Sequence, residues 1–221
     1  MAAPAGLDWV LDARRLLQGE DAPVIFDVGA NTGEVTLRLV KMFPPSARIH
    51  AFEPAAATFM ILAEKLRESG NVTPHQCALS DKEGQLTLFH GVNSHLHRLA
   101  PASSLQVGSS EQVVALTIDI FASTQGLERI SLLKTDTEGF DTAVLRGASR
   151  LLLAGAIRII VSEATFDRTS SWHTRFDELR DLLEPLGYHL HGIYEAELWG
   201  THLKYANVMF VRADEPPSTR K

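Results

Sequence analysis

The stretch Phe26-Asp27-Val28-Gly29-Ala30-Asn31-Thr32-Gly33 decides the fold. An apolar run at 24–28 leads into it and a helical pattern over 32–42 leads out of it. That is the strand, turn and helix context a nucleotide-binding glycine turn requires. Gly29 permits a tight turn, and Gly33 lets the helix approach the sheet. A dinucleotide fingerprint needs a second glycine where Asn31 stands, and an asparagine there would crowd a pyrophosphate. Asp27, an acid at the end of the strand, suits a positively charged amino-acid moiety better than a phosphate.

The turn therefore favours S-adenosylmethionine over NAD, with the plain alternative that it only joins a strand to a helix. Glu53, at the end of a second apolar run over 49–52, lies near the ~20-residue spacing at which an acid accepts hydrogen bonds from both ribose hydroxyls. Pro54 stops that strand and fixes the turn presenting Glu53. Ser80 and Asp81 close a third strand, where Asp81 is placed to meet the adenine amino group; Ser-Asp-Lys-Glu-Gly is also good turn chemistry in its own right.

Short apolar runs then alternate with longer helical patterns, the signature of βα units and a mostly parallel sheet. Strands are expected at 24–28, 49–52, 72–78, 130–136, 157–163, 188–194 and 206–212, and extra strands at 85–89 and 112–116 flank a long loop over 91–110. Helices are expected at 7–17, 32–42, 55–68, 140–153 and 172–186, the third with Phe59, Leu62, Ala63 and Leu66 on one face. Count and order fit an α/β doubly wound sheet of seven mostly parallel strands with helices on both faces. In such a sheet ligands bind at the carboxyl ends of the strands where the order reverses. The chain divides into an N-terminal helical segment (1–22), a Rossmann-like domain (23–213) and an unstructured tail (214–221) containing Pro216-Pro217.

The second strong signal is Lys134-Thr135-Asp136-Thr137-Glu138-Gly139, where charged residues alternate as an apolar strand runs out. Period two puts Lys134, Asp136 and Glu138 on one face if extended geometry persists. Each buried charge needs a partner or a ligand. A bare Lys134–Glu138 ion pair would meet that need; so would a site in which Asp136 and Glu138 face a transferred methyl and orient or deprotonate an acceptor hydroxyl.

Taken together, the motifs at 27–33, 51–54 (Ala-Phe-Glu-Pro), 78–81 (Ala-Leu-Ser-Asp) and 134–139, continued by Val144-Leu145-Arg146-Gly147-Ala148, resemble the FkbM family of S-adenosylmethionine-dependent methyltransferases over about residues 24–165. The resemblance implies a class I methyltransferase (Rossmann-like) fold, with cofactor contacts at Asp27, Gly29, Asn31, Gly33, Glu53 and Asp81. It further implies methylation of hydroxyl oxygens of small molecules such as sugars or natural-product intermediates. Thr135 and Thr137 stand where the family usually shows aliphatic residues, and Asp141 replaces a common glutamate.

For the acceptor side, Asp136 is the first candidate base, with His95 and His97 in the long loop as further imidazoles able to take a proton. Ser103, Ser104 and Leu105 in the same loop offer hydroxyl and backbone contacts. Glu163, ending strand five, can approach Asp136 and Glu138 around a magnesium ion, although hydrogen bonding among these groups is the favoured reading and no metal ligand is assigned. Trp199, His202 and Tyr205, in an expected loop over 195–205, either wall the acceptor pocket or cover the sheet edge.

Composition narrows the field further. At about 150 residues per domain, 221 residues allow one large domain. With 45% hydrophobic and 22% charged residues the chain can bury a sizeable core. The net charge of −6 and the missing basic stripe oppose nucleic acid as partner. They count against an RNA 2′-O-methyltransferase, the alternative enzyme reading. DNA base methylation lacks its Asn/Asp-Pro-Pro-Tyr run, and a non-catalytic cofactor-binding subunit is disfavoured by the intact Asp136 and Glu138. The single cysteine, Cys77, excludes an internal disulfide framework and a cysteine-only zinc site. Asp8 and Asp12 interrupt any secretory core, and the longest apolar stretch, 151–161, contains Arg158 and is shorter than the ~18 residues of a membrane span. A cytoplasmic protein without membrane contact is expected, and the N-terminal helix leaves room for a homo-oligomer by exchange with a neighbour.

Overall fold

The computed structural model describes residues 6–90, 98–100, 109–170 and 173–213. In chain order the elements are α1 (Trp9–Leu16), β1 (Val24–Val28), α2 (Glu34–Met42), β2 (Arg48–Phe52), α3 (Ala56–Leu66), β3 (Val72–His75), β4 (Ala78–Leu79), β5 (Gly84–Phe89), β6 (Arg98–Ala100) and β7 (Ser110–Leu116). They continue with α4 (Ile118–Thr124), β8 (Ile130–Thr135), α5 (Asp141–Arg146), α6 (Ser149–Leu153), β9 (Ile157–Thr165), α7 (Phe176–Leu183), a 3₁₀ turn (Glu184–Leu186), β10 (Tyr188–Trp199) and β11 (His202–Arg212). Seven strands form the main sheet in the order β10-β11-β9-β8-β1-β2-β3. β3, β2, β1, β8 and β9 are mutually parallel, and β11 runs antiparallel to both β9 and β10.

All five residues of β1 are buried, as a central strand covered on both faces requires. Val24, Phe26 and Val28 point into one cluster with Phe121 of α4, Val144 of α5, Leu151 of α6 and Leu179 of α7. Ile25 points the other way, into a cluster with Trp9, Val10 and Ala13 of α1 and Leu39 of α2. Leu62 and Leu66 of α3 pack against Ala51 on that same side. Helix α1 is therefore part of the common core. It starts at Asp8, whose Oδ1 accepts from the Val10 and Leu11 backbone N–H groups at 2.8 and 3.3 Å, a side-chain N-cap. It is tied to β10 through buried Asp12, which accepts from Tyr194 Oη at 3.0 Å and from Gly6 N at 2.7 Å.

The structure departs from the sequence pattern in several places, among them β6, which lies within the long loop expected over 91–110. The expected strand over 72–78 divides: β3 remains the edge of the main sheet, where Pro74 costs no ladder bond, and β4 pairs with β7 in a second sheet ordered β4-β7-β5-β6. The extra strands at 85–89 and 112–116 belong to that second sheet. Helix α4 was not expected; Thr117 caps it, accepting from Ile120 N at 3.1 Å. The helical run over 140–153 is two helices, and the last helix begins at Phe176, four residues later than its pattern suggested. Finally, the expected loop over 195–205 is mostly paired: β10 and β11 extend to a tight turn at 200–201.

Gly147 lies at the junction of α5 and α6. A Cβ on Gly147 would lie 1.9 Å from the Ser80 carbonyl oxygen, so backbone from the β4 end packs directly on this residue. Gly147→Ala should therefore destabilise the fold by roughly 1–3 kcal/mol or more, read as a lowered urea midpoint at unchanged m-value.

Candidate active site

The site forms where the carboxyl ends of β1, β2 and β8 meet. Gly29 N and Ala30 N donate to the Phe52 carbonyl, and Asp136 N donates to the Val28 carbonyl at 3.0 Å, so the three strand ends are stitched together. Gly29 has φ +77°, and a Cβ there would stand 1.9 Å from the Asp136 carbonyl oxygen. Glycine is required on both counts. Asn31, at φ 49°, occupies the left-handed region that asparagine tolerates better than most side chains. The turn thus keeps its shape without the second glycine of a dinucleotide fingerprint.

These loops enclose a cavity of about 900 Å³, including its solvent-open mouth. One wall is the turn from Gly29 to Thr32 together with Glu53 and Pro54, one end is apolar (Phe52, Cys77, Leu79, Leu88), and the opposite wall carries Lys134, Asp136, Thr137 and Glu138. Glu53 is 7% exposed. Its carboxylate accepts from Asn31 N at 3.0 Å and from Ala55 N at 2.9 Å. Burial outweighs these two donors and pushes its carboxyl up to about 7.

Asp27 and Gly33 stand behind this wall. Asp27 is fully enclosed, accepting from Thr36 Oγ1 at 2.6 Å and lying 3.8 Å from Lys134 Nζ. Gly33, at φ +88°, starts α2 where a side chain would press on Leu62. Ser80 and Asp81 line a neighbouring recess with Phe140 and Ala143, and not the cavity itself. Ser80 is buried and donates to the exposed Asp81 carboxylate at 3.2 Å.

Lys134 is enclosed between two carboxylates, 3.0 Å from Asp136 Oδ2 and 3.8 Å from Asp27 Oδ1. Burial alone would lower its pKa, but Asp136 and Asp27 outweigh burial and hold it above its ordinary value, so the ammonium stays charged. The strand ends at Thr135, and Glu138 has φ 51°. Extended geometry therefore does not persist to Glu138, and Lys134 pairs with Asp136 and not with Glu138. Burial, with the nearby charges of Asp136 and Glu163, pushes the Glu138 carboxyl up to about 7.

Beside Glu138 lies a cluster that the sequence pattern did not reveal as such. His173 Nδ1 is 3.0 Å from Glu163 Oε2 and 3.8 Å from Glu138 Oε2. Thus Glu138 and Glu163 do approach one another, but the third member is His173, because Asp136 is turned towards Lys134. His173 is placed by its neighbour: Thr174 Oγ1 donates to buried Asp141 at 3.1 Å and the Thr174 carbonyl accepts from Thr165 N at 2.9 Å. Burial and Asp136 push the Asp141 carboxyl up to about 6. The Tyr205 ring packs on the His173 ring with centroids 5.3 Å apart. Of the three residues expected as a possible wall, Tyr205 alone is seen against this cluster; Trp199 is 75% exposed near the hairpin tip and His202 is exposed. His95, His97, Ser103, Ser104 and Leu105 lie outside the described residues. A sequence signal for His173 was limited to its position shortly after the strand that ends near Glu163.

Strand order, the antiparallel β11 and the cavity at the ends of β1, β2 and β8 define a class I S-adenosylmethionine-dependent methyltransferase fold. Solved structures agree: an O-methyltransferase from Bacillus cereus in complex with SAH matches with a TM-score of 0.53 at 12% identity, covering 96% of this chain and 83% of that one. An rRNA methylase from Streptococcus thermophilus matches with a TM-score of 0.53 at 11% identity, covering 96% and 99%. Residues 27–190 match the Methyltransferase FkbM domain, and the chain belongs to that family. Among its relatives, Methyltransferase 1 of Beauveria bassiana is 31% identical over 147 residues, 58% of this chain and 59% of that protein. The 31-O-demethyl-FK506 methyltransferase FkbM of Streptomyces tacrolimicus is 31% identical over 156 residues, 56% and 58% of the two chains. The 2-O-methyltransferase NoeI of Sinorhizobium fredii is 25% identical over 152 residues, 62% and 61%. The matches thus span about three-fifths of these curated relatives. No helix among the described residues is long and apolar enough to cross a membrane.

The buried Glu53 carries a pH signature. The unfolded chain releases this proton near 4.5 and the folded chain near 7, so between these values folding takes up a proton and stability falls as pH rises. Glu53→Gln removes that slope. Between pH 4 and 8 the variant should gain about 2–3 kcal/mol relative to wild type, measured as the difference between urea-unfolding free energies at the two pH values.

Proposed function

We propose that this protein is an S-adenosylmethionine-dependent O-methyltransferase acting on a hydroxyl of a small molecule, such as a sugar or natural-product intermediate. The observation that carries the reading is the pairing, across one cavity, of a buried acceptor carboxylate at the end of β2 with two carboxylates just beyond the end of β8. The donor set fits the cofactor. Glu53, held by the Asn31 and Ala55 backbone amides, would accept from the ribose hydroxyls. The apolar end at Phe52, Cys77, Leu79 and Leu88 would take the adenine, with Ser80 and Asp81 just outside it. The surplus of carboxylates over Lys134 suits a cationic sulfonium. Gly29 and Asn31 shape the turn that faces the cofactor, while Gly33 and Asp27 support it from behind. The relatives NoeI and FkbM, both named for methylation at oxygen, point the same way.

When bound, the cofactor supplies a methyl group on a sulfonium, an electrophilic carbon whose leaving group is a neutral thioether. An alkyl hydroxyl is a weak nucleophile, so the chain's task is to hold it in line and to take its proton as the carbon–oxygen bond forms. Asp136 lines the cavity and is held in place by Lys134; it is assigned the proton. Glu138, on the same wall, orients the hydroxyl. Asp27 acts through Lys134, fixing the ammonium that in turn fixes Asp136.

Calorimetric titration of cofactor-stripped protein should show saturable binding of S-adenosylhomocysteine and none of NAD; binding of neither overturns the proposal. Glu53→Ala should weaken S-adenosylhomocysteine binding at least ~10-fold, since the buried donors of the ribose lose their acceptor. Asp136→Ala should keep that affinity but lower kcat by about 10²–10⁴-fold, followed as transfer of radiolabelled methyl to a panel of sugar and polyol acceptors. An unchanged kcat would remove Asp136 from the chemistry.

A further inference from the structure

We infer that Glu138, Glu163 and His173 form a binding site for a first-row divalent cation, of the manganese or zinc kind, at the rim of the proposed active site. The three residues come from separate elements: the turn after β8, strand β9 and the connection before α7. Each offers one ligand atom, and these atoms all lie within 4.8 Å of one another. Two metal–ligand bonds of about 2.1 Å place neighbouring ligand atoms about 3–4 Å apart, so small side-chain rotations close the site around an ion.

The imidazole is aimed into the cluster. His173 Nδ1 is shielded from solvent and points at two carboxylate oxygens 3.0 and 3.8 Å away. Without an ion, a proton on Nδ1 shared with Glu163 satisfies this contact. A divalent ion would take the place of that proton, with the nitrogen lone pair and both oxygens as ligands. The ring is already fixed by Tyr205 on one side and by the anchored Thr174. The surrounding charge also favours a cation: Asp136 and Asp141 add to the two ligand carboxylates, and Lys134 is committed to Asp27 and Asp136.

The ligand set determines the class of ion. Three carboxylates would have suited magnesium, which takes oxygen ligands; replacing one by an imidazole shifts preference towards manganese, iron or zinc. Three protein ligands leave coordination positions open, and because Glu138 belongs to both the cluster and the cavity wall, an acceptor hydroxyl in the cavity can occupy one and become more acidic.

The test is direct binding. EDTA-stripped full-length protein titrated with manganese(II), followed by loss of the free-ion electron paramagnetic resonance signal, should show one saturable site per chain, with magnesium binding more than about tenfold more weakly. His173→Ala and Glu163→Gln should each weaken manganese binding at least ~10-fold, whereas Glu128→Gln, on an exposed loop, leaves it unchanged. In unmutated protein, manganese should selectively broaden the His173 imidazole resonances, which keeps the test open if a variant fails to fold. Absence of saturable binding, binding unaltered in both variants, or broadening at other histidines but not His173 overturns the inference. S-adenosylhomocysteine titrated into the same sample reports the cofactor cavity separately, so failure of the metal site and failure of the proposed activity are distinguishable.

Discussion

Lys134 sits between Asp27 and Asp136 with almost no access to solvent, and the arrangement of the site follows from it. An ammonium taken out of water costs several kcal/mol even after relaxation, and that cost is offset only when opposite charges are held close in good geometry. The sheet supplies the geometry: Asp27 and Lys134 are direct partners across the parallel pair β1 and β8. Asp136 reaches the ammonium from the end of the same strand. Thr36 of α2 adds a hydrogen bond to Asp27, so the helix that opens from the glycine turn is tied to the same charge. Deleting the ammonium would leave Asp27 buried beside another carboxylate, the kind of loss that typically costs 3–5 kcal/mol.

Around this pair the backbone does the shaping. The missing Cβ of Gly29 lets the Asp136 carbonyl close on the turn, and the missing Cβ of Gly147 lets the chain beyond β4 close on the helix that follows β8. Strand ends that would otherwise splay are thereby drawn around one cavity. Its two walls differ in kind: Glu53 is fixed by backbone amides and nearly dry, while Asp136 and Glu138 are partly open and flanked by other charges. The second sheet contributes Leu79 and Leu88 to the apolar end between them.

Much of this was readable in the linear order of residues because it depends on neighbours in sequence. The glycine turn, Glu53 at a strand end and the alternation of Lys134 and Asp136 each rest on local geometry, and each lies in or behind the cavity wall. What failed did so for several reasons. Glu138 falls off the strand's face because the strand ends at Thr135 and Glu138 itself takes a left-handed φ of 51°. The 140–153 run divides at Gly147, where the Ser80 carbonyl, distant in sequence, packs in the space of a missing side chain. The hairpin of β10 and β11 runs through an apparent loop because its exposed tip lacks the apolar alternation that marks a half-buried strand.

The sequence by itself determined the doubly wound α/β class, the order of the βα units and the position of the main charged residues, since period-two and period-3.6 patterns and glycine placement are local consequences of backbone sterics. Only the tertiary structure decided which charges meet. Asp136 is claimed by Lys134, and His173 arrives beside Glu138 and Glu163 because Asp141 and Thr165 anchor Thr174 from two other elements. Such pairings depend on distances across the fold of a few ångströms, and no spacing along one chain encodes them.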